Sequence, residues 1–144
     1  RALAELDALG IGCAGVVRTA GTVTVRKTRV IAHSQQVVRF DREQRDHPPA
    51  VAARVSRFVR RHAADFDAVV VSDYGKGVIT PELLAELGAV RRRTGLTVIV
   101  DLKRRNYDHY DGITLATPNA HETADASGVD LGGEDGLRAA GLRL

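Results

Sequence analysis

The sequence contains no methionine, no tryptophan and a single cysteine, Cys13, in 144 residues. One cysteine excludes an internal disulfide and fits a reducing compartment, so the fold must rest on its apolar core. Aromatic residues make up only 4%, too few for the stacking platforms that hold single-stranded nucleic acids. Neither sign of charge dominates: 21 basic residues are interspersed with 18 acidic ones for a net +3, which argues against a nucleic-acid surface. No apolar run is long enough to span a membrane, and no signal peptide is visible. Lysine is scarce, with Lys27, Lys76 and Lys103 alone, while arginine supplies the general surface charge. Lys76 and Lys103 fall in loops after strands, where a compact ammonium is a common phosphate ligand. The chain opens at Arg1 directly into an apolar pattern (Leu3, Leu6, Leu9) and stops as abruptly in GLRAAGLRL, so it reads as the middle of something longer.

What is present, 44% hydrophobic and 27% charged residues, is enough for one modest globular domain. The spacing predicts a helix over Ala2 to Leu9 closed by Gly10, then a short strand around Ala14 to Val17. Thr22 to Ile31 and Gln35 to Phe40 read as two strands joined by Ala32-His33-Ser34, a hairpin with Arg26, Lys27, Arg29 and Arg39 mid-strand. One face of it should be wet or turned to an anion. Asp41 to Pro49 is a linker whose prolines approach a helix with Val51, Val55, Phe58, Val59 and His62 on one stripe. Arg54, Arg57, Arg60 and Arg61 lie off that stripe, as a solvated face.

The stretch AVVVSDYGKGVITPELL, Ala68 to Leu84, then gives strand, loop and helix. Val69, Val70 and Val71 show no polar alternation, which predicts a strand covered on both faces. Thr80-Pro81-Glu82 supplies an N-cap, a proline at the first helical position and an acid in the first turn. Arg91 to Arg93 and Gly95 end that helix. Leu96 to Val100 and Ile113 to Ala116 read as further buried strands, and a final helix runs from Asn119 or Ala120 to about Ser127, before the turn-rich SGVDLGGEDG. There is no internal repeat. Right-handed βαβ crossovers bring the three strand ends to one edge, where open α/β sheets bind ligands.

That edge should carry Ser72, Asp73, Lys76, Asp101, Lys103, Thr117, Asn119 and Glu122. Lysines, carboxylates and glycine amides together suit a phosphorylated ligand with Mg²⁺. Each group singly also has a structural reading: Asp73 as a turn cap, Asp101 as a loop anchor, Asn119 or Thr117 as a helix cap. GKG is not a Walker A loop, because Val70 stands where its first glycine is needed and Gly77 where Ser or Thr is needed. His121-Glu122 opens like a zinc-protease helix, but position 125 is Asp. The other histidines lack ligand spacing, and His62 reads as a packed or boundary residue.

Three segments resemble the PfkB, or ribokinase-like, sugar kinases, and within them the heptose 7-phosphate kinases of lipopolysaccharide-precursor synthesis. They are KTRVIAHSQQVVRFDRE (Lys27 to Glu43), VVVSDYGKGVITPELL (Val69 to Leu84) and DLKRRNYDHYDGITLATPNAHE (Asp101 to Glu122), the last similar to the pattern DPKxxxxxxYxGxxxxTPNxxE. Order and spacing agree over about two thirds of the chain.

The resemblance implies a three-layer α/β/α sandwich with a small β lid, the lid strands within about 14–41 and the α/β core about 49–144. It also implies ATP-dependent phosphoryl transfer to a sugar phosphate in the cytoplasm; composition and charge separately lead us to expect no nucleic-acid or membrane partner. Asn119, Glu122 and Lys103 would lie near the nucleotide phosphates, with Glu122 reaching hydrated Mg²⁺ through water. Lys27, Arg29 and Gln36 would lie near the sugar phosphate, and the lid strands would pair two subunits. Asp73 and Lys76 would line the cleft on the substrate side. Leu102 departs from the family's proline. The family's GAGD segment, with its aspartate base, and the segment that binds much of the sugar are not among these residues, so the 144 residues alone are expected to be inactive. A non-catalytic module binding nucleotide or sugar phosphate on the same scaffold is the alternative.

Overall fold

Thr80 sits in extended backbone, and its hydroxyl accepts the Leu83 N–H at 3.3 Å, so the helix begins where the chain's clearest cap lies. In the computed structural model, which describes residues 1–20, 24–43 and 47–144, this helix is α3, Pro81–Thr94. Gly95 ends it at φ 75°, a left-handed conformation that costs glycine little, and donates to the Arg91 carbonyl. The elements before it are α1 (Ala2–Ala8), β1 (Arg26–Ala32), β2 (Gln35–Arg42), α2 (Pro49–His62), a 3₁₀ turn (Ala63–Asp65) and β3 (Ala68–Ser72). After it come β4 (Thr97–Asp101), a 3₁₀ helix (Arg104–His109), β5 (Leu115–Ala116), α4 (Ala120–Ser127) and α5 (Gly133–Gly141).

The strands form two sheets. β3, β4 and β5 are parallel in that order, with Val71 opposite Val100 and Val100 opposite Ala116. β1 and β2 form a separate antiparallel hairpin, turned at His33 and Ser34, both with positive φ. The architecture is mixed α/β.

The core lies on one face of the parallel sheet, under α3 with α2 packed beside it. Leu84, Leu87 and Val90 of α3 meet Val71, Val98 and Val100 of the sheet, and Leu96, Leu102 and Tyr110 complete the cluster. Full burial of each such aliphatic side chain is worth roughly 1.5–3 kcal/mol. The resemblance left Leu102 unexplained where proline is usual; the side chain enters this core at 4% exposure.

Four expectations fail. Ala14 to Val17 is not a strand but a turn and irregular chain, and Gly15 there lies against the Phe58 ring. Val70 is not covered: it is 68% exposed, on the sheet face opposite the core together with its register partners Ile99 and Leu115. An unalternating valine run states that both faces are apolar, not that both are covered within these residues. β5 is two residues long, because Ile113 and Thr114 are still part of the approach from the 3₁₀ helix. The glycine pair at 132–133 does not end helical structure: Gly133 opens α5, whose Ala140 is fully buried. Among the other expected elements, α2, α3 and α4 form within a residue or two of their expected bounds. β1 begins at Arg26, and of its expected first residues Thr22 and Val23 lie outside the described ones.

Candidate functional site

The carboxyl ends of β3, β4 and β5 carry the polar residues of the chain's three strand-end loops. After β5, Asn119 caps α4 reciprocally: its Oδ1 accepts the Glu122 N–H at 3.0 Å, and Glu122 Oε2 accepts the Asn119 N–H at 3.0 Å. This capping box fixes the Glu122 side chain at the helix entrance. After β4, the Lys103 ammonium reaches across to Glu122 Oε1, and it lies 3.7 Å from Asp101 Oδ1. Asp101, Lys103, Asn119 and Glu122 therefore form one cluster drawn from two separate loops.

Electrostatics match this geometry. The bond from Lys103, then that from the Asn119 amide, holds the Glu122 carboxyl below the usual value of 4.5. Reciprocally, Glu122 raises the Lys103 ammonium above 10.5, with Asp101 adding to the effect against partial burial. Across neutral pH the pair is ionised. A cation standing between two carboxylates at a helix N-terminus can be drawn toward an incoming phosphate, which then also meets the helix amides.

After β3, Asp73 is 1% exposed and its carboxylate faces inward. Oδ1 accepts the Gly75 N–H at 2.7 Å, while Oδ2 accepts from Asn106 Nδ2 at 2.6 Å and from the Tyr110 hydroxyl at 3.0 Å. Asp73 thus shapes the loop instead of presenting a free carboxylate at the rim. Lys76, expected as a possible phosphate ligand, is paired with Glu43 just beyond β2. Ser72 and Thr117 are exposed at the rim, and Thr117 Oγ1 donates to the Val100 carbonyl at 3.4 Å.

Lys27, Arg29 and Gln36 lie on the hairpin, away from this cluster in the chain's topology. Lys27 pairs in register with Asp41, Arg29 with Arg39 and Ile31 with Gln36. The register shifts between Val30 and Ile31, and that bulge is what turns Gln36, rather than Val37, to the face of Lys27 and Arg29. The three residues share one exposed face, where Arg39 Nε also meets Asp41 Oδ1 at 3.0 Å.

One buried contributor, Asn106 at 3% exposure, falls on an unspecified position of the pattern DPKxxxxxxYxGxxxxTPNxxE, and a second, Tyr110 at 8%, is its tyrosine, to which no role had been given. Asn106 sits in the polar run RRNYDHY, whose 3₁₀ helix gives no apolar periodicity to read. His62 behaves as a boundary residue, stacked on Phe58 with centroids 4.7 Å apart and within 3.2 Å of Asp65 Oδ2. Among the described residues, no three His, Cys, Asp or Glu side chains are grouped to hold a metal ion, and no helix is long and apolar enough to cross a membrane.

No protein-family model matches the chain. Curated relatives do. A bifunctional protein HldE from Geobacter sulfurreducens is 43% identical over 136 residues, 94% of this chain and 28% of that protein. Its counterpart in Geobacter metallireducens matches at 43% over the same shares, and that in Syntrophotalea carbinolica at 42% over 141 residues, 97% of this chain and 29% of that protein. The chain spans less than a third of the length of these relatives. Over nearly all of its own length, the chain is homologous to one segment of the bifunctional HldE proteins.

Proposed function

We propose that the chain is the central part of a ribokinase-like sugar kinase that transfers a phosphoryl group from Mg-ATP to a heptose phosphate, in lipopolysaccharide-precursor synthesis. The observation that carries this reading is the meeting of Lys103, Asn119 and Glu122 at one rim, from the two ends of the segment that resembles DPKxxxxxxYxGxxxxTPNxxE. The relation to HldE proteins supports it.

In such a transfer the sugar hydroxyl oxygen bonds to the γ-phosphorus, the bond to the β–γ bridging oxygen breaks, and ADP leaves. Little covalent chemistry falls to the protein, so positioning and charge stabilisation dominate. Lys103 would meet the phosphate oxygens as they gain charge. Asn119, by capping the Glu122 amide, would fix the α4 entrance that faces them, and Glu122 would hold a water of the Mg²⁺ that enters with ATP. Asp101 and Glu122 are the two carboxylates of this cluster, and in this reading the ion arrives with ATP. None of these 144 residues is assigned to take the hydroxyl proton.

The hairpin serves as the lid in this reading, with Lys27, Arg29 and Gln36 toward the sugar phosphate. Its exposed strands would pair two subunits, and the protein would act in the cytoplasm. The test is ADP release by the full-length protein with Mg-ATP and a panel of sugar phosphates. Release with a heptose phosphate and not with unphosphorylated sugars supports the proposal. ATP binding without release on any sugar would replace it with a non-catalytic binding module.

A further inference from the structure

Asp73 raises a question that the rim cluster does not answer: why a carboxylate is buried at 1% exposure between the exposed residues Ser72 and Tyr74. Taking a charge out of water is costly unless it is hydrogen-bonded, and an apolar residue there would avoid the cost. Its three donors, the Gly75 amide, the Asn106 amide group and the Tyr110 hydroxyl, are all neutral. What the arrangement supplies is position. Tyr110 donates to Asp73, and its oxygen accepts the Lys103 backbone N–H at 3.1 Å. One phenol oxygen therefore spans the loop after β3 and the residue whose ammonium sits at Glu122.

The other contacts tighten the same link. Asn106 also donates to the Ile79 carbonyl at 3.4 Å, tying the 3₁₀ helix to the approach of α3. Leu102 anchors the preceding residue in the core. Tyr107 donates to the Glu122 carbonyl at 3.3 Å, so the same helix touches the partner of Lys103 as well. Burial, foremost, pushes the Tyr110 phenol up to about 12, which keeps it a neutral donor.

We propose that Asp73, Asn106 and Tyr110 are positioning residues: together they fix the backbone of Lys103 so that its ammonium stands between Asp101 and Glu122, ready for the nucleotide phosphates. The role rests on the kinase reading above, but the placement of Lys103 can be measured without turnover. The chain's only lysines are Lys27, Lys76 and Lys103, so acetylation by acetic anhydride, read by peptide mass spectrometry, reports on Lys103 with exposed Lys27 as internal reference.

In the full-length protein without nucleotide, Tyr110→Phe should raise Lys103 acetylation relative to Lys27 by about fivefold, the factor for losing the hydrogen bond that the phenol oxygen accepts from the Lys103 N–H. The same variant should lower kcat/KM for ATP by a similar factor while leaving the KM of the sugar phosphate unchanged. Asn106→Ala, which leaves the phenol in place but loosens Asp73, should move both readouts in the same direction, and it decides the matter if Tyr110→Phe does not fold. An unchanged Lys103 to Lys27 ratio in a folded variant, even one with a lowered melting temperature, overturns the proposal and leaves the network a structural support. Absence of ADP release from the unmodified protein would instead count against the kinase reading, whatever the labelling shows.

Discussion

Glu122 joins two functions in one carboxylate, since one oxygen takes the Lys103 ammonium and the other closes the α4 cap. Its lowered folded value means that its contribution to stability is present above the unfolded value of 4.5 and is lost as pH falls through the folded one. Lys103 has the opposite sign: raised on folding, it contributes fully below 10.5 and loses that contribution as pH rises through its folded value. Urea unfolding of the unmodified protein and of Glu122→Gln should therefore differ most between these limits and converge in acid. A difference that persists well below the carboxylate range would contradict the assignment. Asn119→Ala should lower stability by about 1 kcal/mol, as for the loss of an N-cap acceptor, measurable in the same unfolding experiment. Lys76 and Glu43 should show a coupling energy of about 0.5–3 kcal/mol in a double-mutant cycle of Lys76→Ala and Glu43→Gln, because the two side chains are in direct contact and part-buried. Additive effects would show that the pair has no energetic role.

At the scale of elements, α3 is where local signals and packing agree. Thr80, Pro81 and Gly95 mark its ends in the sequence, and Leu83, Leu84, Leu87 and Val90 are all buried where the helical spacing places them. Leu87→Ala should cost about 2–5 kcal/mol in thermal or urea unfolding, the range for a core leucine truncated beneath packed helices. Gly112 is another fixed point: its φ is 76°, and an added Cβ would lie 3.4 Å from the Gly88 Cα and 3.3 Å from an Arg92 nitrogen. Gly112→Ala should therefore destabilise, by more than the ~1 kcal/mol that separates alanine from glycine in an ordinary helix. What the sequence did not disclose at this scale is the 3₁₀ helix after β4 and α5. Neither has a long apolar period: Asn106 and Tyr110 are buried by hydrogen bonding to Asp73, and α5 follows two glycines that ordinarily read as a break.

For the whole molecule, the order of strands and helices was legible because caps, glycines and apolar runs punctuate it, and the parallel sheet follows from those crossovers. Coverage of the sheet was not. Val70, Ile99 and Leu115 stand in one row on the face away from α3, and a run of valines carries no information on what lies above it. The site was legible where a motif fixes two residues within one turn, as with Asn119 and Glu122. It was less so for Lys76 and Asp73, whose partners Glu43, Asn106 and Tyr110 are more than 30 residues away in the chain. Long-range pairing is the part of the fold that no local pattern encodes.

The central claim is that the Lys103, Asn119 and Glu122 cluster is the nucleotide-phosphate side of a sugar kinase. The measurement that tests it most directly is the rate of ADP release by the full-length protein with Mg-ATP and heptose 7-phosphate, compared with that of Lys103→Ala. The account predicts release that requires the sugar phosphate and falls by about tenfold or more in the variant, as for the loss of a charge-assisted phosphate contact. No release from the unmodified protein, or an unchanged rate in a folded Lys103→Ala, would contradict it.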